Sequence, residues 1–465
     1  MKKFLLSFVL VLFACTCLLT ACGDKGLSDN PAADAETIGN GGFAVVKGDY
    51  LYYVNGYIDN YANVLKENTS LNETGEVVFG GIYRTKLVNG KVQKDENGFL
   101  TKTEQVVSKV VGFENGGFYI LGNYIYYTSP HMNQDGGGTV RTDYTDFYRI
   151  NINGTDNEKL YTSKSVSVDE WNVYKIDGAH YVVLVEKVSS TENETETTKT
   201  NVVSINAKKA TKKTLASNVS SVVLNDENEV EKDYNEYVYY TFTEDGINKV
   251  GKTHIASGSK GSYVLSNGAS YSVMDHKNDN LYLTITKDDT KLYRLDLSLD
   301  ENLTNINPYA LTISGYTNYY VIDDVLNNLI VVDDSNYMYY LVNGSTNKVL
   351  LTASATFVAI SDNCVYYIES SILKRVNIST GEIENLGSTE KTYLNSLAKQ
   401  IDVDGSKIYM FASYTGEDES TNYYLNVTNI FVNKQDSEFV GLFEKGHTPV
   451  EPTAEEKEDG AVWIK

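Results

Sequence analysis

The sequence has little tryptophan, cysteine, histidine or arginine. Its few histidines bear on metal binding, and its excess of acidic residues bears on nucleic-acid binding. Its 465 residues include two Trp, four Cys, five His and five Arg. The five His lack the paired spacing that places two imidazoles on one metal ion, so no metal site is expected. The chain has 40 Lys and Arg against 62 Asp and Glu. A net charge of −22 opposes the phosphate backbone, so nucleic acid is not expected as a partner.

The N-terminus has the features of a bacterial lipoprotein signal peptide. Lys2 and Lys3 precede an apolar stretch, 4–19, that is too short to span a bilayer. The segment Leu19-Thr20-Ala21-Cys22 resembles the lipobox, in which a Cys thiol is acylated before cleavage. We therefore predict cleavage after residue 21 and lipidation of Cys22. The mature protein would be anchored through this lipid at the extracytoplasmic face of the cell membrane. The alternative is an ordinary cleaved signal peptide with an incidental Cys.

Cleavage changes the charge and the cysteine content of the mature chain. The loss of Lys2 and Lys3 moves the net charge from −22 to −24, and Cys15 and Cys17 are also lost. With Cys22 acylated, no disulfide is available, and the strand-like context of Cys364 predicts a buried structural thiol. We divide the chain into the signal peptide, a flexible tether, a folded body and an acidic C-terminal tail, over residues 1–21, 22–42, 43–446 and 447–465.

The folded body contains a Tyr-rich strand that recurs eight times. Most copies are apolar on both strand faces, which predicts a sheet covered on both sides. The eight copies begin at Tyr50, Tyr124, Tyr181, Tyr237, Leu281, Leu329, Val365 and Ile408.

Other strands accompany the Tyr-rich one. A second strand follows several copies and often ends near a turn such as Asn89-Gly90 or Asn153-Gly154. A weaker strand comes next, and an inner strand precedes the Tyr-rich one. Four strands in each unit are typical of a β-propeller blade. We therefore predict an all-β propeller of eight four-stranded blades, or of seven if the weak fourth or sixth unit is misread.

Four of the five arginines occupy one register of the strand that follows the Tyr-rich strand. These are Arg84, Arg149, Arg294 and Arg375. They could form a cationic ring for an anionic ligand. The alternative is structural, with each guanidinium bonded to a carbonyl or carboxylate between blades. Repetition at equivalent positions favours the structural role, because binding sites are usually made by different residues from different blades.

The strand pattern resembles a known group of bacterial proteins. A Tyr-Tyr strand, an Ile-Tyr-Arg strand and an Asn-Gly hairpin resemble the propeller domains of uncharacterised surface lipoproteins from Gram-positive bacteria. More distantly, they resemble the YWTD propellers of the low-density-lipoprotein receptor family. The resemblance covers residues 42–445 and implies a fold but no activity. No copy contains a Trp-Thr-Asp run, so the ligand rules of those receptors do not carry over.

The loops between the second and third strands of each blade differ in length, which predicts a binding face. Four long loops, in units eight, one, two and three, would form a contiguous arc once the ring closes. Planar side chains among polar ones suit stacking on sugars or gripping a peptide. The candidate ligand-binding residues on this arc are Tyr57, Tyr61, His131, Arg141, Tyr144 and Tyr414.

Sequence motifs favour a binding role over catalysis. No Gly-x-Ser-x-Gly elbow is present, and Asp402-Val403-Asp404-Gly405 lacks the downstream ligands of a calcium loop. No catalytic residue, cofactor or metal ligand is therefore predicted. We expect a binding or scaffold module for an envelope glycan, peptide or partner protein. The alternative is a hydrolase or lyase that acts on an envelope polysaccharide through carboxylates on the same face.

Overall fold

The Tyr-rich segments are the second strands of consecutive antiparallel sheets in the computed structural model of the chain. Each of the sheets also contains the inner, third and outer strands that the repeat predicts. The structure describes residues 27, 29–54, 81–93, 103–109, 111, 117–132, 140–164, 167–192, 195–225, 233–265, 270–285, 291–298, 304–306, 309–323, 328–342, 345–361, 363–388, 402–403, 407–415, 421–429 and 438–440.

Seven sheets, numbered here as blades 1 to 7, follow one another along the chain. Blade 1 comprises β1 Thr37–Ile38, β2 Ala44–Lys47, β3 Tyr50–Val54, β4 Ile82–Val88, β5 Lys91–Val92 and β6 Thr103–Val107. Blade 2 comprises β7 Phe118–Leu121, β8 Tyr124–Met132, β9 Val140–Asn151 and β10 Glu158–Ser163. Blade 3 comprises β11 Ser167–Ile176, β12 Ala179–Glu192, β13 Thr195–Asn206 and β14 Thr211–Ser217.

The next four blades have the same order. Blade 4 comprises β15 Ser221–Val223, β16 Tyr237–Glu244, β17 Ile247–His254 and β18 Lys260–Leu265. Blade 5 comprises β19 Ser272–Lys277, β20 Asn280–Ile285, β21 Lys291–Asp296 and β23 Tyr309–Ser314, while β22 Thr304–Ile306 pairs in parallel with β18 of blade 4. Blade 6 comprises β24 Asn318–Asp323, β25 Asn328–Val332, β26 Met338–Val342 and β27 Ser345–Leu351. Blade 7 comprises β28 Thr356–Ser361, β29 Cys364–Glu369, β30 Ile372–Asn377 and β31 Ile383–Ser388.

One more four-stranded sheet follows blade 7. It comprises β32 Asp402–Val403, β33 Lys407–Thr415, β34 Thr421–Asn429 and β35 Glu438–Val440. Its side chains lie outside the described residues. The described side chains pack seven sheets into a propeller of seven blades, which is the smaller number that the sequence allows. The last sheet has the same strand order as a blade. Among the described residues, the helical element is a 3-10 turn, Asp233–Glu236. No helix in this part of the chain has the length and hydropathy to cross a bilayer.

The prediction that both faces of the Tyr-rich strand are covered is confirmed. In β8, Ile125 and Tyr127 pack in the core between blades 1 and 2, while Tyr126 packs in the core between blades 2 and 3. Alternate residues of β12 divide in the same way, with Leu184 on one side and Val183 on the other. Because successive side chains of a strand point to opposite faces, the second strands of blades 2 to 6 each contribute to two inter-blade cores.

The arginines have a structural role, as predicted, but their carboxylate partners lie within the blade. Arg84 of β4 lies 2.7 Å from Glu104 of β6 and also donates to the Tyr52 hydroxyl. Arg149 lies 2.5 Å from Glu158, and Arg375 lies 2.6 Å from Glu384. In each case the Glu lies directly opposite the Arg on the outer strand. The prediction of bonds between blades is therefore wrong. The cross-strand neighbour on the outer strand lies closer to each guanidinium than the next blade does.

In each of these three blades, a tyrosine lies on the side of the arginine that faces away from the Glu. Tyr52, Tyr126 and Tyr366 of the second strands lie directly opposite the three arginines. Burial raises the pKa of Tyr52 to about 12, so this phenol stays neutral and donates or accepts hydrogen bonds at neutral pH. We call each Tyr-Arg-Glu set a cross-strand rung. In blade 5, Arg294 lies between Tyr282 and Tyr309 instead, so this blade keeps the arginine without the carboxylate opposite it.

The predicted tether is shorter than residues 22–42. Thr37–Ile38 pairs with β2, and Lys47 Nζ donates to the carbonyl oxygens of Ala33 and Ala35. Asn40 Nδ2 donates to the Ile120 carbonyl. The polar composition of this stretch suggested a flexible linker, but its backbone and amide groups bond to blades 1 and 2.

Removal of the first rung should cost more stability than removal of the last. The Arg84 side chain is fully buried, whereas that of Arg375 is 14% exposed and its partner Glu384 is 50% exposed. We expect Arg84→Met to lower the free energy of unfolding by about 2 kcal/mol, because the buried Tyr52 hydroxyl and Asn30 lose a charged donor. We expect Arg375→Met to cost less than about 1 kcal/mol, because its partner is solvated. Urea unfolding of both variants tests this order, and equal losses would contradict it.

Candidate functional site

The predicted long loops of blades 2 and 3 are mostly continued strands. The ladder of β12 and β13 runs to the pair Glu192 and Thr195, and that of β8 and β9 reaches Met132 and Val140. β33 and β34 likewise pair up to Thr415 and Thr421. The expectation of loops is therefore corrected to extended hairpins, which we call the β-arms. Residues 55–80, the long loop predicted for blade 1, lie outside the described part of the chain.

Two of the six predicted ligand-binding residues are described with their side chains, and they are in contact. The rings of His131 and Tyr144 have centroids 5.7 Å apart, near the base of the blade 2 β-arm. Arg141 pairs with His131 through the backbone, and Tyr414 pairs with Asn422 in the third β-arm. The side chains of Arg141 and Tyr414, and all of Tyr57 and Tyr61, lie outside the described residues.

A buried carboxylate that the sequence analysis did not single out organises this β-arm base. Asp146 is 2% exposed, and its Oδ1 lies 3.0 Å from His131 Nδ1. The Tyr148 hydroxyl donates to Oδ2 at 3.2 Å, and Thr162 donates to Oδ1 from the outer strand. Lys159 Nζ lies 3.5 Å from Oδ2. Donors on three strands therefore fix Asp146, which in turn orients the His131 ring.

Two lysine ammonium groups lie over aromatic rings near Asp146. Lys164 Nζ lies 5.6 Å from the centroid of Tyr144, and Lys109 Nζ lies 5.0 Å from that of Tyr148. Burial lowers the pKa of Lys109, against the opposing effect of Asp146. Both distances are within the range of a cation–π interaction. We call His131, Tyr144, Asp146, Tyr148 and Lys164 the arm-base cluster.

A second buried carboxylate lies between blades 2 and 3. Glu186 of β12 is 2% exposed, and Ser163 donates to its Oε2 at 2.6 Å. Lys212 Nζ lies 3.2 Å from Oε1 and also donates to the Tyr161 hydroxyl. Because Thr162 bonds to Asp146 while its neighbours Tyr161 and Ser163 contact Glu186, strand β10 links the two acids.

His180, His254 and His276 have structural surroundings, and the predicted burial of Cys364 is confirmed. His180 bonds to Tyr126, His254 lies 2.9 Å from Glu236, and burial lowers the pKa of His276 to about 4. Cys364 is 6% exposed. Within the described residues no group of three His, Cys, Asp or Glu could hold a metal ion. His447 lies outside the described part of the chain.

Comparisons with known proteins identify no family for this chain. A scan against family models and a search of curated proteins found no match. Among solved structures, a computationally designed protein is 11% identical, with a TM-score of 0.40 over 84% of this chain and 98% of that one. The β-propeller domain of the Trilobed protease from Pyrococcus furiosus is 10% identical, with a TM-score of 0.40 over 71% of this chain and 94% of that domain.

A peptidase also matches over part of its length. An acylaminoacyl peptidase is 10% identical, with a TM-score of 0.41, and the match covers 83% of this chain and 57% of the peptidase. At these identities the similarity concerns the fold alone. The propeller assignment depends on the strand order and inter-blade cores of this chain. The resemblance to Gram-positive surface lipoproteins and to YWTD propellers stays a prediction.

Asp146 should matter for the stability of the arm base far more than an exposed aspartate in the same blade. Asp146→Asn places an amide nitrogen against hydrogen-bond donors in a buried site. We expect a loss of about 1–3 kcal/mol in the free energy of unfolding. The matched control is Asp156→Asn, since Asp156 is exposed in the turn between β9 and β10. We expect this variant to stay within about 0.5 kcal/mol of the wild type. Denaturant unfolding measures both, and similar values would show that Asp146 does not organise the cluster.

Proposed function

We propose that this chain is a lipid-anchored, extracytoplasmic binding module that recognises an envelope glycan or peptide through the face that carries the β-arms. The lipobox at Cys22 supports the anchor, and the propeller supports a role as a rigid scaffold. The observation that carries the binding role is the arm-base cluster. It combines partly exposed aromatic rings with a buried, fully bonded carboxylate beneath them.

The chemistry of the cluster suits a polar ligand with flat apolar faces. Tyr and His rings offer a stacking surface and polar edges, and few rotamers have to be fixed on binding. Asp146 already holds His131 in place, so this ring is oriented in the free protein. A preorganised site loses less conformational entropy when it binds. Sugar rings and extended peptides both present such flat faces with hydrogen-bonding edges.

The enzyme alternative receives less support from the described residues. A hydrolase or lyase needs carboxylates that reach the substrate. Asp146 and Glu186, the two acids at the bases of the β-arms of blades 2 and 3, are each 2% exposed. Both already accept hydrogen bonds from hydroxyl groups and lie close to lysines. Their positions suit the support of a binding surface better than proton transfer to a polymer.

Substitutions in the arm-base cluster test the binding role directly. We expect Tyr144→Ala to weaken binding to insoluble cell-wall material from a Gram-positive bacterium by at least tenfold, because a stacking ring is lost. A sedimentation assay with the purified full-length chain measures the affinity. Thermal unfolding should change little, because Tyr144 is partly exposed at the edge of the blade.

A second exposed tyrosine supplies the matched control. Tyr337 is 37% exposed in the short turn between β25 and β26, at the same end of its blade as the β-arms. Tyr337→Ala should bind the wall material as the wild type does. Equal binding by all three proteins, or equal losses in both variants, would contradict the proposed site. Release of soluble sugar from the wall material would favour the enzyme alternative instead.

A further inference from the structure

We infer that the propeller lies against the membrane with the face opposite the β-arms, so that the arm-base cluster points away from the lipid. This inference rests on the proposed lipid anchor at Cys22. It is carried by the path of residues 27–42, which the sequence analysis assigned to a flexible tether. The connection between Cys22 and the propeller is then short, and the orientation of the propeller relative to the membrane is fixed.

The two faces follow from the antiparallel order of the strands. In an antiparallel sheet, successive hairpin turns lie at alternate ends. The turn after the first strand and the turn after the third strand of a blade are therefore at one end, and the turn after the second strand is at the other. We call the first end the turn face and the second end the arm face. Asp177-Gly178, between β11 and β12, is on the turn face, whereas Asp245-Gly246, between β16 and β17, is on the arm face.

Leu27 and residues 29–37 of the N-terminal segment follow the turn face, and the chain then runs beside β2 toward the arm face. The Leu27 amide donates to the carbonyl of Asn153, in the turn between β9 and β10. The Gly48 amide, in the turn between β2 and β3, donates to the carbonyl of Glu36. Asn30 accepts a hydrogen bond from the buried Arg84. These bonds hold the segment at both its start and its end.

A cavity beneath the segment marks the same face. It has a volume of about 440 Å³ and is lined by residues 33–37 of the segment together with Gly122 and Lys175. Gly122 lies in the turn between the first two strands of blade 2, and Lys175 lies beside the corresponding turn of blade 3. This part of the segment therefore lies on the turn face, next to the inner turns of blades 2 and 3.

The remaining chain is too short to reach around the molecule. Five residue steps separate Cys22 from Leu27. An extended chain spans at most about 3.6 Å per residue, so the acylated Cys lies within about 18 Å of Leu27. The twenty steps of the predicted tether would have reached about 70 Å. A lipid on Cys22 therefore holds the turn face close to the bilayer.

The anchor supplies the affinity in this arrangement, because exposed charges of both signs occur on the turn face. Lys208 and Lys209 are exposed in the turn after β13, and Asp156 and Asp177 are exposed in other turns of this face. A polybasic surface would make membrane binding depend strongly on salt. With mixed charges and two or more acyl chains, vesicle binding should depend little on salt.

Two single labels at matched turns test the orientation. We would introduce Asp177→Cys or Asp245→Cys into the full-length, lipidated chain carrying Cys364→Ala, and attach one thiol-reactive fluorophore. Both aspartates are exposed, both precede Gly, and their φ angles are 51° and 52°, so the two substitutions are equivalent locally. Strand β16 has 8 residues, so the labels differ in height by about 26 Å.

The lipidated proteins would be inserted from outside into phosphatidylcholine and phosphatidylglycerol vesicles that contain a headgroup-linked quencher. We expect quenching at position 177 to be at least twice that at position 245, with little change between 50 and 500 mM salt. Equal quenching, or stronger quenching at 245, would overturn the orientation while leaving the anchor intact. A wild-type chain that is recovered without lipid, or that binds vesicles no better than Cys22→Ala, would overturn the anchor and the orientation with it. Thermal unfolding of both labelled proteins verifies the fold.

Discussion

The constraint on which the structure depends is the burial of both faces of each second strand. In blades 2 to 6, one face of the strand packs in the core before its blade, and the other face packs in the core after it. A single blade cannot bury these side chains alone, so the blades are stable only in sequence. Tyrosine suits the position because its ring fills the core while its hydroxyl reaches the arginines, asparagines and histidines at the edges.

The strongly acidic chain places its few buried charges in bonded sets. Each cross-strand rung neutralises an arginine within one blade, and Asp146 and Glu186 each accept hydrogen bonds from neighbouring side chains. An unpaired buried charge would cost far more than these bonds gain. The acids therefore act as fixed points that hold rings and strands in place. The arm-base cluster uses one of them to orient His131, which connects the architecture of the blade to the proposed binding surface.

The fold could be predicted from the sequence because the pattern repeats, whereas unique features were harder to recognise. Eight Tyr-rich strands and the Asn89-Gly90 turn were enough to indicate four-stranded blades. The partner of Arg84 was placed in the wrong sheet, since the repeat does not show which Glu lies opposite on the outer strand. The sequence predicts loops where the structure has β-arms, because polar Thr-rich stretches form strands only where a partner strand continues beside them.

The site was only partly predictable for the same reason. His131 and Tyr144 could be chosen as planar groups on a long connection, and they are in contact. Asp146 gave no signal, since one aspartate among 62 acidic residues is distinguished only by its burial. The order of residues 30–42 was also hidden, because it depends on hydrogen bonds to Lys47 of blade 1 and to Ile120 of blade 2 that the local sequence does not indicate.

The central claim is that the two faces of this propeller have different partners, an envelope component on the arm face and lipid on the turn face. Photo-crosslinking on intact cells tests it most directly, with the photoreactive residue placed at Lys199 or at Lys208. Both lysines are exposed and both belong to blade 3, at opposite ends of the blade. We expect covalent capture of a wall glycan, peptide or protein from position 199 and capture of lipid from position 208. Capture of the envelope component from position 208 and not from position 199 would contradict it.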